Sequence, residues 1–494
     1  MRPLLRPEGR TVTISALNPA AAHVNRIIGL ETEYGVTGRL ADGTVISPDD
    51  VARAMFRPVA EQYGSSNIFH PDGSRLYLDV GAHPEWATAE CTTIDQLAAF
   101  VAAGDRIIDG LAVKAEGSLD FGGDGATIWV LKNNVDSVGN SYGAHENYLV
   151  GRDVVIKRLG ALFLPFLITR QLICGAGTIA RPGAAYPDID ESCFVISQRA
   201  DHVWEAVSSA TTRSRPIINT RDEPHADSSR WRRLHVIVGD SNMADDSLRL
   251  KIGSTLLVLE MIEAHAAPDG LELTGSIEQI HTVARDTTGR APVHLDHSVT
   301  TTALAIQRAW CDAAGRWLDK RPEPDEGKGT PTAQLKAIHR LWTTVLDCLD
   351  SGDLTPIAGS VDWVAKTKLF DAYLDRGLTL GDAKLARLDY AYHDLRPGRS
   401  VLQALTDRGR INSRVSDSAI QAAIDAPPPT TRAAIRGRFL RTADRLGAPV
   451  TVDWMRVKLS RPEPVAVELP DPFATESAAV DELLEHMARH FPAQ

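Results

Sequence analysis

Residues 27–36 read IIGLETEYGV, and this stretch indicates which face of the predicted sheet carries the candidate functional residues. Side chains two residues apart lie on the same face of a β-strand. Glu31 and Glu33 therefore share one face, while Ile28 and Leu30 point to the opposite, apolar side. Two adjacent carboxylates repel each other and are unfavourable when buried unless a cation is close by. The stretch thus predicts a half-buried strand whose polar face requires a positively charged partner.

A second stretch, RLYLDVG at residues 75–81, shows the same alternation. One face is apolar, and the other carries a cation, a phenol and a carboxylate, namely Arg75, Tyr77 and Asp79. Glu85 follows six residues after Asp79, so the two stretches can gather four carboxylates on neighbouring strands. An oxygen-rich cluster of this kind suits Mg²⁺. The alternative is that these residues form the solvated face of an edge strand, with Arg75 as the ion-pair partner of a glutamate. Residue spacing alone does not decide between a magnesium site and a solvated face.

A loop that reads TTRSRPIINTRDEPHAD carries three arginines, Arg213, Arg215 and Arg221. Guanidinium groups bind phosphate through two parallel hydrogen bonds, so a cluster beside a Mg²⁺ site would suit a nucleoside triphosphate. The alternative is that these arginines pair with the acidic residues of the same loop, Asp222, Glu223 and Asp227. The sequence contains neither a GxxxxGK[ST] loop nor a kinase-type glycine-rich loop, so a sheet surface would have to hold any ATP.

The composition is that of an ordinary globular protein, with 43% hydrophobic and 24% charged residues over 494 positions. A net charge of −11 argues against a general nucleic-acid binder, since affinity for phosphates comes from an excess of lysine and arginine. The five cysteines are scattered without a CxxC pair, which indicates a reducing cytoplasm and neither zinc nor disulfides. No apolar run approaches the roughly 20 residues of a membrane span, and the N-terminus lacks a signal-peptide pattern. We therefore expect a cytoplasmic protein without membrane association.

Strand patterns dominate the first half of the chain, and helical patterns with apolar residues spaced near 3.6 dominate the second half. This order predicts an α+β fold around a mostly antiparallel sheet. Ser47 is predicted to cap a helix, and an interruption between two strands is predicted at His83–Pro84. Residues 1–24 are predicted as a flexible tail and residues 25–425 as the main domain. Residues 430–494, beyond the proline-rich IDAPPPTTR, are predicted as a small C-terminal domain.

Six motifs, in this order along the chain, resemble those of a known protein family, which residue spacing alone does not show. They are IIGLETEYGV, SRLYLDVGAHPEWATAEC, NNVDSVGNSYGAHENYL, SATTRSRPIINTRDEPHAD, RRLHVIVGDSNM and TVDWMRVKL. From about Arg26 to the C-terminal region, the chain resembles the family that joins the ligase of Pup, the prokaryotic ubiquitin-like protein, with the deamidase of Pup. The resemblance implies a large glutamine synthetase-like domain with a curved antiparallel sheet that cradles ATP, followed by a small C-terminal domain.

Carried over position by position, the resemblance also implies magnesium ligands, ATP contacts and a catalytic base. The magnesium ligands would be Glu31, Tyr77 and Glu85, to which the shared strand face adds Glu33. The ATP contacts would be Arg75, Thr88, Trp454 and Arg221, and the base would be Asp79. Three further residues lie in matching motifs without an assigned role: His145, Arg199 and His235.

The activity implied is ATP-dependent ligation of the C-terminal glutamate γ-carboxylate of Pup to a lysine of a target protein, through a γ-glutamyl phosphate. This modification would mark the target for proteasomal degradation. The alternative is a deamidase or depupylase that uses the same pocket. The deamidase carries a long extra loop before the strand with the aspartate, whereas here residues 35–75 are predicted to hold one capped helix and little else. This difference favours the ligase.

The resemblance also raises the question of how Pup, an acidic and disordered protein, is held. The stretch RGRFLRTADRL at residues 436–446 is basic and amphipathic, which makes it a candidate wall for a Pup groove. Its candidate contacts are Arg436, Arg438 and Arg441. The alternative is a packing role in the small C-terminal domain, with the basic residues solvated.

Overall fold

The structure, a computed structural model, describes residues 17–79, 81–121, 125–183, 186–209, 215–274 and 277–491. Strands concentrate in the first half and at the C-terminal end, and helices fill the region between them. In chain order the strands are β1 (Ile28–Glu33), β2 (Gly35–Leu40), β3 (Val45–Ile46), β4 (Asn67–Phe69), β5 (Arg75–Asp79), β6 (His83–Ala87), β7 (Ala126–Leu131), β8 (Ala144–Gly151), β9 (Thr178–Ala180), β10 (Cys193–Val195), β11 (Glu205–Ser208), β12 (Pro216–Asn219), β13 (Trp231–Val236), β14 (Pro292–Leu295), β15 (Val299–Thr302), β16 (Val450–Val452), β17 (Arg456–Leu459) and β18 (Val465–Glu468).

The helices include the long segments that the apolar spacing predicts in the second half of the chain. In chain order they are α1 (Pro48–Tyr63), α2 (Ile94–Glu116), α3 (Ile156–Thr169), α4 (Gln171–Cys174), α5 (Asp245–Glu263), α6 (Gln279–Ala284), α7 (Ala303–Leu318), α8 (Thr332–Ser351), α9 (Asp362–Leu374), α10 (Ala383–Tyr392), α11 (Val401–Asp407), α12 (Asp417–Asp425), α13 (Ala433–Leu446) and α14 (Ala478–His490). Ser47 caps α1 as predicted, because its side chain accepts a hydrogen bond from the Asp50 N–H.

An eight-stranded sheet organises the main body, with the strand order β11-β12-β13-β8-β1-β6-β5-β4. All neighbouring pairs are antiparallel except β11 and β12, which run parallel. The predicted α+β fold with a large, mostly antiparallel sheet is confirmed. β1 lies in the interior of this sheet, which places its carboxylates near the middle of one face.

One face of the large sheet packs on helices and forms the main hydrophobic core. Ile28 and Leu30 of β1 are buried there, as the alternation predicts. Phe166 of α3 packs edge-on against Trp310 of α7 and Trp342 of α8, so the helical second half closes over the sheet. Because this face is apolar and covered, the polar side chains of the same strands are gathered on the opposite face.

A second core lies between α1, α2 and a small sheet of order β3-β2-β7. Its central side chain is Trp86 of β6, which is buried beneath α2. Gly104 of α2 permits this approach, since a Cβ at that position would lie 2.3 Å from the indole ring. The helix therefore fits tightly behind the strand that carries Glu85.

Two strand boundaries differ from the sequence prediction. The opening stretch does not continue through Tyr34, because the backbone turns there and the chain enters the small sheet as β2. Tyr34 is fully buried and its hydroxyl donates to Asp105 at 2.7 Å. The predicted interruption at His83–Pro84 is also wrong: both residues lie in β6, and the turn uses Gly81 and Ala82 with positive φ angles of 92° and 62°.

Part of the predicted N-terminal tail is held in place. The backbone N–H of Asn18 donates to the carbonyl of Ala264, and the N–H of His23 donates to the Glu263 carboxylate at 2.9 Å. The described part of the predicted tail, residues 17–24, therefore contacts the end of α5, and its flexibility stays a prediction. The rest of the predicted tail, residues 1–16, lies outside the described residues.

The C-terminal segment has its own sheet, of order β16-β17-β18, and its own core. That core contains buried side chains of α13, α14 and β17, among them Phe439, Val457 and Val480. The segment bends back to the large sheet, because Arg432 and Arg436 both form ion pairs with Glu90. The domain limits at residues 425 and 430 stay a prediction.

Candidate active site

Three rows of side chains cross the polar face of the large sheet, because residues paired across antiparallel strands stand side by side. The first row runs through β8, β1, β6 and β5 and contains His145, Glu31, Ala87 and Arg75. The second row runs through β1, β6, β5 and β4 and contains Glu33, Glu85, Tyr77 and Asn67. The third row pairs His83 with Asp79. The predicted carboxylate face therefore exists and spans several strands.

Glu31 lies among positively charged and hydrogen-bonding partners. His145 Nδ1 is 3.3 Å from its carboxylate, Asn147 donates to it at 3.0 Å, and Arg233 Nη1 lies at 3.4 Å. His235 Nε2 is 3.7 Å away. Burial alone would raise the pKa of Glu31, but the His145 hydrogen bond and the charges of His235, His145 and Arg233 lower it below its ordinary value. Glu31 is therefore ionised. The protein itself supplies part of the positive charge that the opening strand requires, through Arg233.

Two groups of potential cation ligands lie on this face. In the first, Glu31, His145 and His235 offer one oxygen and two nitrogen atoms that all lie within 4.8 Å of one another. In the second, Glu33, Asp79 and Glu85 offer three carboxylate oxygens within the same distance. The all-oxygen donor set of the second group fits a hard cation such as Mg²⁺.

Glu85 is the buried member of the second group. Burial raises its pKa well above the ordinary value, and the negative charges of Glu31, Glu33 and Asp79 raise it further. The Tyr77 hydroxyl donates a hydrogen bond to it, which acts in the opposite direction. A divalent cation beside these oxygens would lower the pKa of Glu85, because it favours the ionised carboxylate.

Tyr77 remains a phenol. Burial and the nearby charges of Glu31 and Glu85 raise its pKa far above the ordinary value. The Arg75 guanidinium lies 4.4 Å from the centre of its ring, and Arg75 Nε donates to Asn67 at 2.9 Å. Tyr77 can therefore meet a cation only as a neutral oxygen or through a water molecule.

A cleft of about 770 Å³ adjoins the first row, between β4, β5 and the C-terminal segment. Its walls include Arg75, Phe69, His225 and Trp454. The Trp454 indole stands edge-on to Phe69 with 4.9 Å between ring centres. Aromatic walls with a nearby guanidinium suit a planar heterocycle joined to phosphates.

Thr88 is buried beside this cleft, in a cavity of about 90 Å³ that also contacts Glu31 and Trp454. Its hydroxyl oxygen accepts a hydrogen bond from the Leu30 N–H at 3.1 Å. A threonine hydroxyl can still donate its proton while its oxygen accepts. The structure therefore brings three of the four predicted ATP contacts, Arg75, Thr88 and Trp454, to one side of the carboxylate face.

Known proteins resemble this chain over nearly its whole length. The family model for Pup-ligase proteins matches residues 26–458. The chain is 55% identical over 474 residues to the Pup–protein ligase of Corynebacterium glutamicum, covering 95% of this chain and 98% of that protein. It is 53% identical over 488 residues to the Pup–protein ligase of Corynebacterium efficiens, covering 97% and 98%. The chain belongs to the Pup-ligase family.

Two solved structures of Pup ligases superpose on the chain. The complex between Pup and its ligase PafA gives a TM-score of 0.91 at 53% identity, covering 96% of this chain and 93% of that one. The ligase PafA in complex with ADP gives a TM-score of 0.82 at 56% identity, covering 90% and 94%. The resemblance inferred from the six motifs is confirmed, and the deamidase alternative is not favoured.

The interval that separates the two activities in this family is richer than predicted. Between Gly35 and Arg75 the chain forms β2, β3 and β4 in addition to the capped helix α1. β3 and β4 were missed because two- and three-residue strands carry no detectable alternation, and the six-residue β2 was missed as well. Among the described residues, no helix combines the length and apolarity needed to cross a membrane.

The loop arginines occupy different places in this member of the Pup-ligase family. Arg221 is 59% exposed at the rim, and its Nε pairs with Glu223 at 2.9 Å. Glu223 also lies 3.5 Å from Arg233, so Arg221 is linked to Glu31 only through two further ion pairs. The predicted alternative, pairing within the loop, holds for Arg221. Arg213 lies outside the described residues.

Arg199 lies beneath the site. Its guanidinium is buried and donates to the carbonyls of Tyr142 at 2.8 Å and Ile237 at 2.9 Å. Burial, together with the charge of Arg215, lowers the pKa of Arg199 to about 10. The geometry gives it a supporting position under the loop before β8.

Two partners of Glu31 were not found from the sequence. Asn147 lies two residues after His145 on β8, and Arg233 lies two residues before His235 on β13. The same two-residue period that paired Glu31 with Glu33 puts Asn147 on one face with His145, and Arg233 on one face with His235. What the period could not show is that β8 pairs with β1 and that β13 pairs with β8.

Proposed function

We propose that this chain uses ATP to activate the C-terminal glutamate of Pup and joins its γ-carboxylate to a lysine of a target protein. The observation that carries the proposal is the position of the carboxylate rows directly beside the aromatic cleft. A nucleotide in the cleft would present its phosphates to the cation ligands. Relatives named Pup–protein ligase and a relative bound to ADP support the same reaction.

The cation ligands in this proposal are Glu31, Glu33, Tyr77 and Glu85, and the cation is Mg²⁺. The fit rests on the carboxylate oxygens of Glu33, Asp79 and Glu85, which lie within 4.8 Å of one another, and on the Tyr77 hydroxyl that donates to Glu85. Glu31 belongs to the neighbouring group with His145 and His235. When bound, magnesium would offset the negative charge of the transferring phosphoryl group. Asp79 shares the group of Glu33 and Glu85, so its carboxylate also lies close to the reacting atoms.

The first step joins two anions, so the residues around them must reduce their repulsion. Arg75, on the wall of the cleft, is placed to hold the phosphates of ATP. An oxygen of the Pup γ-carboxylate forms a bond to the γ-phosphorus. The bond between the γ-phosphorus and the oxygen that bridges the β- and γ-phosphates breaks, and ADP is released. The product is a γ-glutamyl phosphate.

The second step transfers the glutamyl group to lysine. The lysine nitrogen attacks the activated carbonyl carbon, the carbon–oxygen bond to phosphate breaks, and inorganic phosphate leaves. Since a lysine side chain has a pKa near 10.4, the amine arrives protonated and must lose a proton. Asp79, at the end of β5 on the same face as Tyr77, is placed to accept this proton.

The proposal is tested by mixing the purified chain with Pup, ATP, Mg²⁺ and a candidate target, and by following conjugates on a gel. We expect conjugates with Pup that ends in glutamate. A matched reaction uses Pup that ends in glutamine and omits the target. Release of ammonia from that reaction, without conjugation in the first, would favour the deamidase. We also propose that the chain is cytoplasmic, which the use of ATP and the scattered free cysteines support.

The predicted wall of the Pup groove on α13 needs correction. Arg436 is fully buried and pairs with Glu90, so the prediction is wrong for this residue. Arg438 lies 2.5 Å from Asp481, and Arg441 donates to the carbonyl of Pro71 at 2.9 Å. A contact of Arg438 or Arg441 with Pup stays a prediction.

Gly143, in the loop before β8, offers a test of the geometry that the two ligand groups require. A Cβ at this position would lie 2.7 Å from Glu33 Oε1 and 2.3 Å from His145 Nε2. We expect Gly143→Ala to displace both side chains and to lower kcat for conjugation about tenfold or more, with little loss of stability. The control is Gly110→Ala in α2, where a Cβ meets no atom within 4 Å. Equal rates for Gly143→Ala and the wild type would contradict the close packing around Glu33.

A further inference from the structure

The carboxylate of Glu90 is buried just after β6 and is shared by two arginines at the start of α13. Arg432 Nε donates to Glu90 Oε1 at 2.8 Å. Arg436 donates to the same oxygen at 2.7 Å through Nη1 and to Oε2 through Nη2. Both carboxylate oxygens are thus occupied by guanidinium groups, and both arginines are themselves buried. The helix that begins the C-terminal segment is fixed to the large sheet at this point.

The same two arginines also hold the walls of the aromatic cleft. Arg436 donates to the carbonyl of Trp454 at 3.2 Å, and its guanidinium lies 5.2 Å from the Trp454 ring and 5.4 Å from the Phe69 ring. Arg432 donates to the carbonyl of His225. Trp454, Phe69 and His225 all line the cleft of about 770 Å³. The Glu90 carboxylate therefore acts on three residues that line the cleft, through the guanidinium groups of Arg432 and Arg436.

This arrangement depends on the charge of Glu90. A carboxylate fixes a guanidinium by parallel charge-assisted hydrogen bonds, which a neutral acceptor reproduces poorly. Burial would raise the pKa of Glu90, but Arg436 and Arg432 lower it to about 2, so the group is ionised at neutral pH. Without that charge, two buried guanidinium groups would lose their carboxylate partner and shift toward other acceptors.

The space around Glu90 is too tight for the helix to shift without consequence. Gly73, whose carbonyl accepts a hydrogen bond from Arg436 at 3.0 Å, lies in the turn before β5. A Cβ on Gly73 would lie 2.8 Å from the Cβ of Ala433 in the first turn of α13. Movement of α13 would therefore alter both the turn that leads to Arg75 and the position of Trp454.

We propose that Glu90 is a positioning residue for nucleotide binding, which acts through Arg432 and Arg436 to set Trp454 against Phe69. This inference rests on the proposed function, because it takes the aromatic cleft as the nucleotide site. The competing explanation is that Glu90 only stabilises the attachment of the C-terminal segment. A purely structural role would lower the melting temperature without a specific change in affinity for ATP.

The experiment compares Glu90→Gln with a matched control elsewhere in the full-length chain. Glu260→Gln is suitable, because Glu260 is also buried and holds the two nitrogens of Arg321 at 2.7 and 2.8 Å, among helices away from the cleft. Kd for ATP is measured by calorimetry, and KM for ATP and kcat by conjugation, at a temperature well below each melting temperature.

For Glu90→Gln we expect Kd and KM for ATP to rise about tenfold while kcat at saturating ATP falls less than about threefold. For Glu260→Gln we expect a similar loss of melting temperature and an unchanged Kd. Unchanged ATP affinity in Glu90→Gln, or an equal change in both variants, would overturn the proposal.

A second variant guards against failure of Glu90→Gln to fold. Arg436→Lys keeps the positive charge but loses the fork that reaches Glu90 and the Trp454 carbonyl together, so we expect a several-fold weaker Kd for ATP. Unchanged affinity in that variant would also overturn the proposal. Failure of the proposed function is seen separately. A wild-type chain that binds ATP but forms no conjugate contradicts the proposed function and still allows the affinity comparison. A wild-type chain that binds no ATP overturns both the proposed function and the role of Glu90.

Discussion

Glu31→Ala is expected to abolish ATP-dependent conjugation of Pup, with a loss of about 10³-fold or more in kcat/KM, equivalent to roughly 4 kcal/mol of transition-state stabilisation. The reason is that Glu31 is the common partner of Arg233, His145 and His235 at the centre of the sheet face. Removing it deletes a proposed magnesium ligand and also leaves the half-buried Arg233 without one of its carboxylate partners.

The measurement is the rate of conjugate formation at saturating ATP and Mg²⁺, together with the rate of ADP release. Both rates should fall together, because Glu31 as a ligand of the proposed cation would be needed before the acyl phosphate forms. The matched control is Glu61→Ala on α1, whose side chain is 70% exposed and only pairs with Arg57 at 3.7 Å. Conjugation by Glu31→Ala within a few-fold of the control would remove Glu31 from the ligand set.

Asp79→Asn is expected to bind ATP normally and to conjugate Pup to lysine about 10²- to 10⁴-fold more slowly. The amide keeps the shape of the side chain but accepts a proton poorly, so the attack of lysine should slow while formation of the acyl phosphate continues. The measurement replaces lysine by hydroxylamine, which is unprotonated at neutral pH and requires no base. Hydroxamate formation on Pup should proceed at nearly the wild-type rate.

The outcome separates two roles that the geometry allows for Asp79. Its carboxylate lies in one group with Glu33 and Glu85, all within 4.8 Å, so it could also serve as a cation ligand. If hydroxylamine and lysine react equally slowly in Asp79→Asn, the aspartate acts before acyl transfer, and the assignment as a base is wrong.

The arrangement of Glu31 and Glu33 was predictable because alternation is a property of one strand and needs no knowledge of its neighbours. The same is true of the apolar residues Ile28 and Leu30, which are buried as expected. The roles of Arg233 and Asn147 were not predictable in this way, since they arise from the pairing of β13 with β8 and of β8 with β1. Strand order links segments that lie far apart in the chain, and a single sequence carries little information about it.

The error at Arg436 has a different cause. A basic residue on an amphipathic helix is usually solvated, and its charge gives no sign that a buried carboxylate lies opposite. Glu90 is that carboxylate, and it lies 346 residues away along the chain. Because of this pairing, a residue predicted as a surface contact lies behind the wall of the cleft, against Phe69 and Trp454.

The most direct test of the proposed ligation uses Pup whose C-terminal glutamate carries ¹⁸O at both oxygens of its γ-carboxylate. The purified chain is given this Pup, ATP, Mg²⁺ and a target protein, and the inorganic phosphate released is examined by mass spectrometry. Activation through a γ-glutamyl phosphate predicts one ¹⁸O atom in the phosphate for each isopeptide bond formed. Conjugates that form while the phosphate contains no ¹⁸O would contradict the acyl-phosphate route, and the absence of any conjugate would contradict the ligase itself.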